Sequence, residues 1–224
     1  MALDVLYEDN HCLAVVKPAG VLTAGDRTGD ESLLDRLKLY LKQKYKKPGN
    51  VFVGLVHRLD RPVSGVVLFA RTSKSAARLS EQFREGTIQK TYRALVEGAL
   101  AEPGGELRDW LLKDEEKNAV RVVPAGTPGA RECCLRYRRI QSTHGLSLVE
   151  ITPLTGRSHQ IRVQLAAYGH PICGDRKYGS KRGLHGTIAL HAARLIFDHP
   201  TRHEPVTVCA PDPSAWQKLF AVPM

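Results

Sequence analysis

His57-Arg58-Leu59-Asp60-Arg61-Pro62-Val63-Ser64 lies between two apolar runs, Val51 to Val56 and Gly65 to Ala70. The runs predict two strands, and the segment joining them a polar, strongly charged turn. An acid in a tight basic turn is either half of a structural ion pair or a poised carboxylate. Arg58 and Arg61 flank Asp60 and would favour the ionised form of an acid between them.

Toward the N-terminus, Leu3 to Tyr7 and Cys12 to Val16 predict two more strands around an Asp9-Asn10 turn. Ser32 opens a helix, with Asp35 three residues on in a capping-box arrangement and Leu33, Leu34, Leu37, Tyr40 and Leu41 as its apolar stripe. Its tail carries Lys42, Lys44, Lys46 and Lys47, which suits a solvated helix C-terminus or an RNA contact. Toward the C-terminus, Ser73 is the expected cap of a second helix that stops at Gly86. Strands are expected over Ile88 to Val96, weakly over Leu107 to Leu112 and Val120 to Val123, then over Leu135 to Tyr137 and Leu146 to Thr152. Pro103-Gly104-Gly105 and Gly126 to Gly129 read as loops. Ser158 is the expected cap of a third helix that reaches Tyr168 and ends at Gly169. Thr187 to Phe197 and Val206 to Cys209 return to strand, and a short helix covers Ser214 to Phe220. Many strands with few helices and no βαβ order predict an α+β protein with a largely antiparallel or mixed sheet, one domain over residues 1–224.

Hydrophobic residues make up 42% and charged residues 25%, which fits a globular chain and not a disordered one. Lys plus Arg is 33 against 23 for Asp plus Glu, a net charge of +10 that suits solubility or a polyanionic partner. No apolar run approaches the ~20 residues that span a bilayer. Five cysteines without regular spacing give neither a disulfide framework nor a C-x-x-C zinc pair, and the N-terminus shows no leader peptide; a reducing cytoplasm is expected.

Two further segments concentrate polar residues. In Gln89-Lys90-Thr91-Tyr92-Arg93, Lys90, Tyr92 and Ala94 share one face of a strand, and Tyr92 is either a half-buried core residue or a platform for a base. In Thr155-Gly156-Arg157-Ser158-His159-Gln160-Ile161-Arg162, Ser158 and Arg162 lie one helical turn apart, and the first turn with Arg157 and His159 could cradle a phosphate. Walker A, G-x-G-x-x-G, G-x-S-x-G and H-E-x-x-H sequences are absent, which removes the common nucleotide, hydrolase and zinc-protease readings.

Together these segments resemble the RluA family of pseudouridine synthases. His57-Arg58-Leu59-Asp60-Arg61-Pro62-Val63-Ser64-Gly65 is similar to its signature H-R-L-D-x-x-[TV]-S-G, with Val63 where many members have Thr. Lys90 to Gly98 resembles its tyrosine strand and Thr155 to Val163 its third motif; Val16-Lys17-Pro18-Ala19-Gly20, Gly174-Asp175 and Tyr178-Gly179 fall in the family's order. The resemblance covers roughly residues 3 to 210. It implies the pseudouridine-synthase fold, a mixed, mostly antiparallel sheet with flanking helices and loops. It also implies a catalytic domain without the S4 RNA-binding module of many relatives. RNA binding would then fall to basic residues between Arg27 and Lys47 and between Arg176 and Arg182.

The activity implied is isomerisation of uridine in ribosomal or transfer RNA, without cofactor or metal, by a monomer with no membrane attachment. The target nucleotide would be flipped out, since a stacked base cannot turn. Asp60 would be the catalytic carboxylate, acting at C1′, at the C2′ proton or at uracil C6. Arg162 would pair with Asp60, and Tyr92 would pack on the uracil and help remove the C5 proton. Packing is the better-founded duty of Tyr92, because a tyrosine hydroxyl with its ordinary pKa near ~10 is a poor base at neutral pH. Arg58 would fill the vacated space or hold a phosphate, with His57, Arg61, Lys90, Arg157 and His159 as further RNA-binding candidates. A non-catalytic RNA binder on the same scaffold is the rival reading. A nuclease or glycosidase would want a metal set or paired carboxylates.

Overall fold

A computed structural model describes residues 3–143, 145–184, 186–214 and 216. Among them, in chain order, are β1 (Val5–Glu8), β2 (Cys12–Lys17), α1 (Leu33–Lys44), β3 (Gly54–Leu55), β4 (Ser64–Ala70), α2 (Ser73–Glu85), β5 (Gln89–Glu97), β6 (Gly104–Asp114), β7 (Ala119–Val123), β8 (Arg131–Thr143), β9 (Leu146–Pro153), α3 (Gln160–Ala167), a 3-10 turn (Arg176–Tyr178), β10 (Leu190–Asp198) and β11 (Pro205–Cys209). The chain folds as two compact units: the first ends at Lys90 and resumes over Ala192–Pro211, the second runs Thr91–His191 and resumes at Asp212. The α+β class expected from the element pattern is the class observed.

In the first unit, β1 pairs with β2, β2 and β3 with β4, and β10 with β11, each antiparallel. Cys12 and Ala14 of β2, Val66, Leu68 and Ala70 of β4, Leu79 of α2, and Leu195 and Phe197 of β10 form its apolar core. The capping box of α1 is formed as read: the Asp35 N–H donates to Ser32 Oγ (3.3 Å), and the Ser32 N–H donates to Asp35 Oδ2 (3.2 Å). The α2 cap is Thr72 and not Ser73. Thr72 is still extended, and its Oγ1 accepts from the Ser75 N–H (3.1 Å), which places Ser73 inside the helix.

The strands of the second unit pair antiparallel in the order β5-β9-β8-β6-β7, in which the hairpins β6-β7 and β8-β9 lie side by side. Leu111, Val120 and Cys133 pack together with Val163 of α3. β6 and β8 are much longer than the sequence suggested, and β6 absorbs Gly104 and Gly105, which had read as a loop. Their outer face is charged: Arg108 pairs with Glu106 and Glu132, Arg136 with Glu106, and Arg138 with Glu150. Cross-strand ion pairs can pattern a strand as well as apolar residues can, so counting apolar runs missed it. The expected helix over Ser214 to Phe220 lies outside the described residues, apart from Ser214 and Trp216.

Candidate active site

In the first unit the turn that carries Asp60 is pinned on both sides of the acid. Leu59 is buried, and the hydroxyl of buried Thr23 serves both its backbone groups, donating to its carbonyl (2.8 Å) and accepting from its N–H (3.2 Å). On the other side, the Arg61 carbonyl accepts from the Gly20 N–H (2.8 Å) and from Lys17 Nζ (3.0 Å). The turn closes on itself through the Val63 N–H and the Asp60 carbonyl (3.0 Å). Gly65, which follows it, has φ +118, and a Cβ there would collide with the Ala192 backbone. Only glycine lets β4 pass that close.

Lys17 is fully buried at the end of β2, and its ammonium group donates to the carbonyls of Pro18 (3.0 Å), Val21 (2.7 Å) and Arg61 (3.0 Å). Burial pushes its pKa down to about 7; the Asp60 charge opposes this shift and the Arg61 charge adds to it. In the sequence Lys17 stands in the Val16-Lys17-Pro18-Ala19-Gly20 motif, which by itself assigns it no task. The signal was a lysine closing an otherwise apolar strand, Cys12-Leu13-Ala14-Val15-Val16-Lys17.

The basic residues around Asp60 divide. Arg58 is exposed. Arg61 is tied to the neighbouring loop, its Nε donating to the Gly20 carbonyl (3.0 Å) and its Nη2 pairing with Asp30 (2.8 Å). His57 is committed to the fold. Its Nε2 accepts from the Leu68 N–H (2.9 Å), and its ring stacks on Phe83 with centroids 4.4 Å apart. Burial, with the Lys90 charge behind it, pushes its pKa down to about 3, so it brings no charge to an RNA at neutral pH. Lys90 is half-buried, and its own pKa is lowered by burial.

In the second unit, Tyr92 lies half-buried on β5, opposite Ile151 of β9. The Thr155–Gln160 turn leads into α3. Gln160, buried, holds it: Oε1 accepts from Thr155 Oγ1 (2.7 Å) and the Arg157 N–H (3.0 Å), while Nε2 donates to the Cys134 carbonyl (3.0 Å). Ser158 is therefore not the cap of α3; Gln160 instead fastens the turn that precedes the helix. The residue at the N-cap position is His159, in the left-handed region at φ +52 and without a side-chain cap bond. Arg157 is exposed, with Nε on the Glu132 carbonyl (3.2 Å). His159 Nδ1 lies 2.6 Å from the Tyr178 hydroxyl.

Arg162 is buried on α3 beside Asp175, a residue of the Gly174-Asp175 motif. Its Nε donates to Asp175 Oδ2 (2.7 Å) and its Nη2 to Asp175 Oδ1 (2.9 Å). The guanidinium carbon also sits 5.0 Å from the centre of the Tyr178 ring.

Among the described residues one trio of metal-capable side chains comes together, Asp9, Cys12 and His199. Its donors are already spent on the fold. Asp9 Oδ1 accepts from the His11 and Cys12 N–H groups (both 2.7 Å), and Oδ2 from Tyr7 Oη (2.8 Å) and His199 Nε2 (2.6 Å). Burial alone would raise the Asp9 pKa, but these bonds outweigh it and hold the carboxyl far below its ordinary range. Burial pushes the Cys12 thiol up to about 12. A protonated thiol and a fully bonded carboxylate make a structural clamp rather than a ligand set.

The family model described as RNA pseudouridylate synthase matches residues 11–167. The ribosomal large subunit pseudouridine synthase C of Vibrio vulnificus (strain CMCP6) is 36% identical over 214 residues, which are 92% of this chain and 65% of that protein. The tRNA pseudouridine synthase C of Haemophilus ducreyi (strain 35000HP / ATCC 700724) is 36% identical over 240 residues, covering 98% of this chain and 95% of that one. The solved structure of human RNA pseudouridylate synthase domain containing 4 superposes with a TM-score of 0.80 at 23% identity, over 95% of this chain and 90% of that one, and so shares its fold. The match over residues 11–167 and relatives identical at more than a third of positions lead to one assignment: the chain belongs to the RNA pseudouridylate synthase family.

Proposed function

We propose that this protein isomerises uridine to pseudouridine in ribosomal or transfer RNA in the cytoplasm, with Asp60 as the carboxylate that opens the glycosidic bond. One observation carries the reading: Asp60 stands on a turn whose two neighbouring residues are fastened by Thr23, Lys17 and Gly20. A reacting carboxylate gains from being held in one geometry, whereas a surface ion pair has no such need. In the reaction the N1–C1′ bond breaks, the uracil turns, C5 bonds to C1′, and the C5 proton leaves as N1 takes one up. Atoms and electrons balance without an oxidant or a leaving group.

Tyr92 packs on the uracil in this proposal, and Arg162 is the partner that keeps Asp60 aimed. Arg58 and Arg157, both exposed, are the better placed of the RNA-binding candidates. His57 serves the fold and Arg61 the turn.

The test is a pseudouridine map of ribosomal and transfer RNA from cells lacking the protein, restored with the wild type or with Asp60→Asn. A defined uridine should lose its modification, regain it with the wild type and stay unmodified with Asp60→Asn. Restoration by Asp60→Asn would overturn the role of Asp60, and a map unchanged by loss of the protein would overturn the activity.

A further inference from the structure

Among the described residues of the second unit, Arg162 and Asp175 form a deeply buried ion pair, with side chains 6% and 1% exposed. Burying such a pair is costly, and apolar residues of the same volume commonly stabilise a core as well or better. A pair kept in spite of that cost calls for a reason besides stability.

The surroundings supply one. Asp175 stands at the N-terminal end of the 3-10 turn Arg176–Tyr178, yet its carboxylate makes no capping bond there. Both oxygens go to Arg162, while the Asp175 carbonyl accepts from the Tyr178 (3.0 Å) and Ser180 (3.1 Å) N–H groups. The same turn brings Tyr178 to one face of the guanidinium. That ring is fixed in its turn, because its hydroxyl accepts from the Val120 N–H (3.1 Å) and lies on His159 Nδ1. The turn itself cannot shift easily: Gly174 has φ +87, and a Cβ there would meet the Thr187 carbonyl. One edge and one face of Arg162 are thus set by six consecutive residues, Gly174-Asp175-Arg176-Lys177-Tyr178-Gly179. The strained φ of His159, at the head of the same helix, is the kind of local cost found where a side chain must be aimed.

We infer that Asp175 is a positioning residue of the reaction, fixing the Nε/Nη2 edge of Arg162. The inference rests on the reading of Arg162 given above. The carboxylate does not touch substrate; it decides where the guanidinium stands. A displaced guanidinium lowers the rate without weakening RNA binding.

Asp175→Glu keeps the charge and the pair but moves the carboxylate by one methylene. The measured quantity is the single-turnover release of tritium from uridine labelled at C5, in a large-subunit ribosomal RNA transcript and in unmodified transfer RNA, well below the melting temperature. The constant should fall at least about tenfold, since misplacement by an ångström can cost up to ~100-fold, with RNA affinity unchanged within about threefold. A merely structural residue would leave this constant alone in the folded protein. Wild-type turnover in Asp175→Glu would overturn the inference. In an Arg162→Lys background, where the fork is already lost, Asp175→Glu should add less than about threefold. A further tenfold loss would show Asp175 acting on its own, and would also overturn it. If Arg162→Lys alone kept the wild-type constant, the reading of Arg162 would fall first. If Arg162→Lys were slow and Asp175→Glu were not, only the role of Asp175 would fall.

Discussion

The ammonium group of Lys17 lies 3.0 Å from the carbonyl oxygen of Arg61, 44 residues along the chain. That single bond joins the end of β2 to the turn carrying Asp60. The Pro18 and Val21 carbonyls complete the set around the same nitrogen, so the ammonium also closes its own loop. A charge placed this way acts as a backbone clamp, and it does so from full burial.

Lys17→Met tests the clamp. The thioether restores the volume but leaves three backbone carbonyls without that donor. Each unsatisfied buried acceptor costs about 1–3 kcal/mol, and relief of the lysine's own desolvation offsets part of the sum. A net loss of about 1–3 kcal/mol in urea unfolding is expected at pH 7, together with turnover lowered at least about tenfold and RNA affinity kept. The pH dependence has a definite sign. The folded pKa is lowered to about 7 from 10.5, so between those values the unfolded chain holds a proton that the folded chain has released. Stability from this group therefore rises with pH across that window, by at most about 1.4 kcal/mol per unit. The slope should disappear in Lys17→Met; an identical slope in both proteins would remove the buried ammonium from the account.

The parts legible in the sequence are those whose causes are local. Ser32 and Asp35 sit three residues apart and cap α1 as read, and Gly86 ends α2 as read. Asp60, Tyr92 and Arg162, the residues of the proposed site, stand out in the sequence because charge and aromaticity occur where a plain core needs neither. The clamps were not legible, because their partners are remote: Lys17 meets Arg61 across 44 residues and Arg162 meets Asp175 across 13. Nothing in a periodicity marks such a pair. His57 shows the converse. A histidine beside an arginine in a charged turn looked like an RNA contact, but its bond to the Leu68 N–H depends on how β4 folds back past it.

His57 gives an acid-side prediction. Its folded pKa is lowered to about 3 from 6.5, so the unfolded chain takes up the proton first as pH falls. The stability it contributes is whole above pH 6.5 and is lost progressively down to about 3, at up to about 1.4 kcal/mol per unit. The depressed carboxyl of Asp9 adds its own loss at lower pH, below its ordinary range. His57→Gln keeps an acceptor for the Leu68 N–H and cannot titrate. It should be less stable at pH 7 by about 1 kcal/mol, for the lost stacking on Phe83, and flatter between pH 6.5 and 4.5. Urea midpoints over that range decide the matter: parallel curves for the two proteins would mean that the imidazole is not buried neutral.

Tyr92 separates packing from proton transfer. It lies half-buried on β5, with Ala94 of the same strand face fully buried and Ile151 opposite. The ring therefore stands at the margin of the core, as a platform for a base would. Tyr92→Phe keeps that ring and removes only the hydroxyl. Bound RNA and cleavage of the glycosidic bond should survive, with RNA affinity within about threefold of the wild type, because base–aromatic stacking is worth ~1–3 kcal/mol whatever the ring's substituent. Any defect should fall on removal of the C5 proton, and a target uridine deuterated at C5 reports that step as an enlarged isotope effect. Tyr92→Ala, which removes the ring, should lose at least about fivefold in turnover on the same stacking figure. A Tyr92→Phe protein that binds RNA normally yet never breaks the N1–C1′ bond would place the hydroxyl in the first chemical step and reverse the order of its two duties.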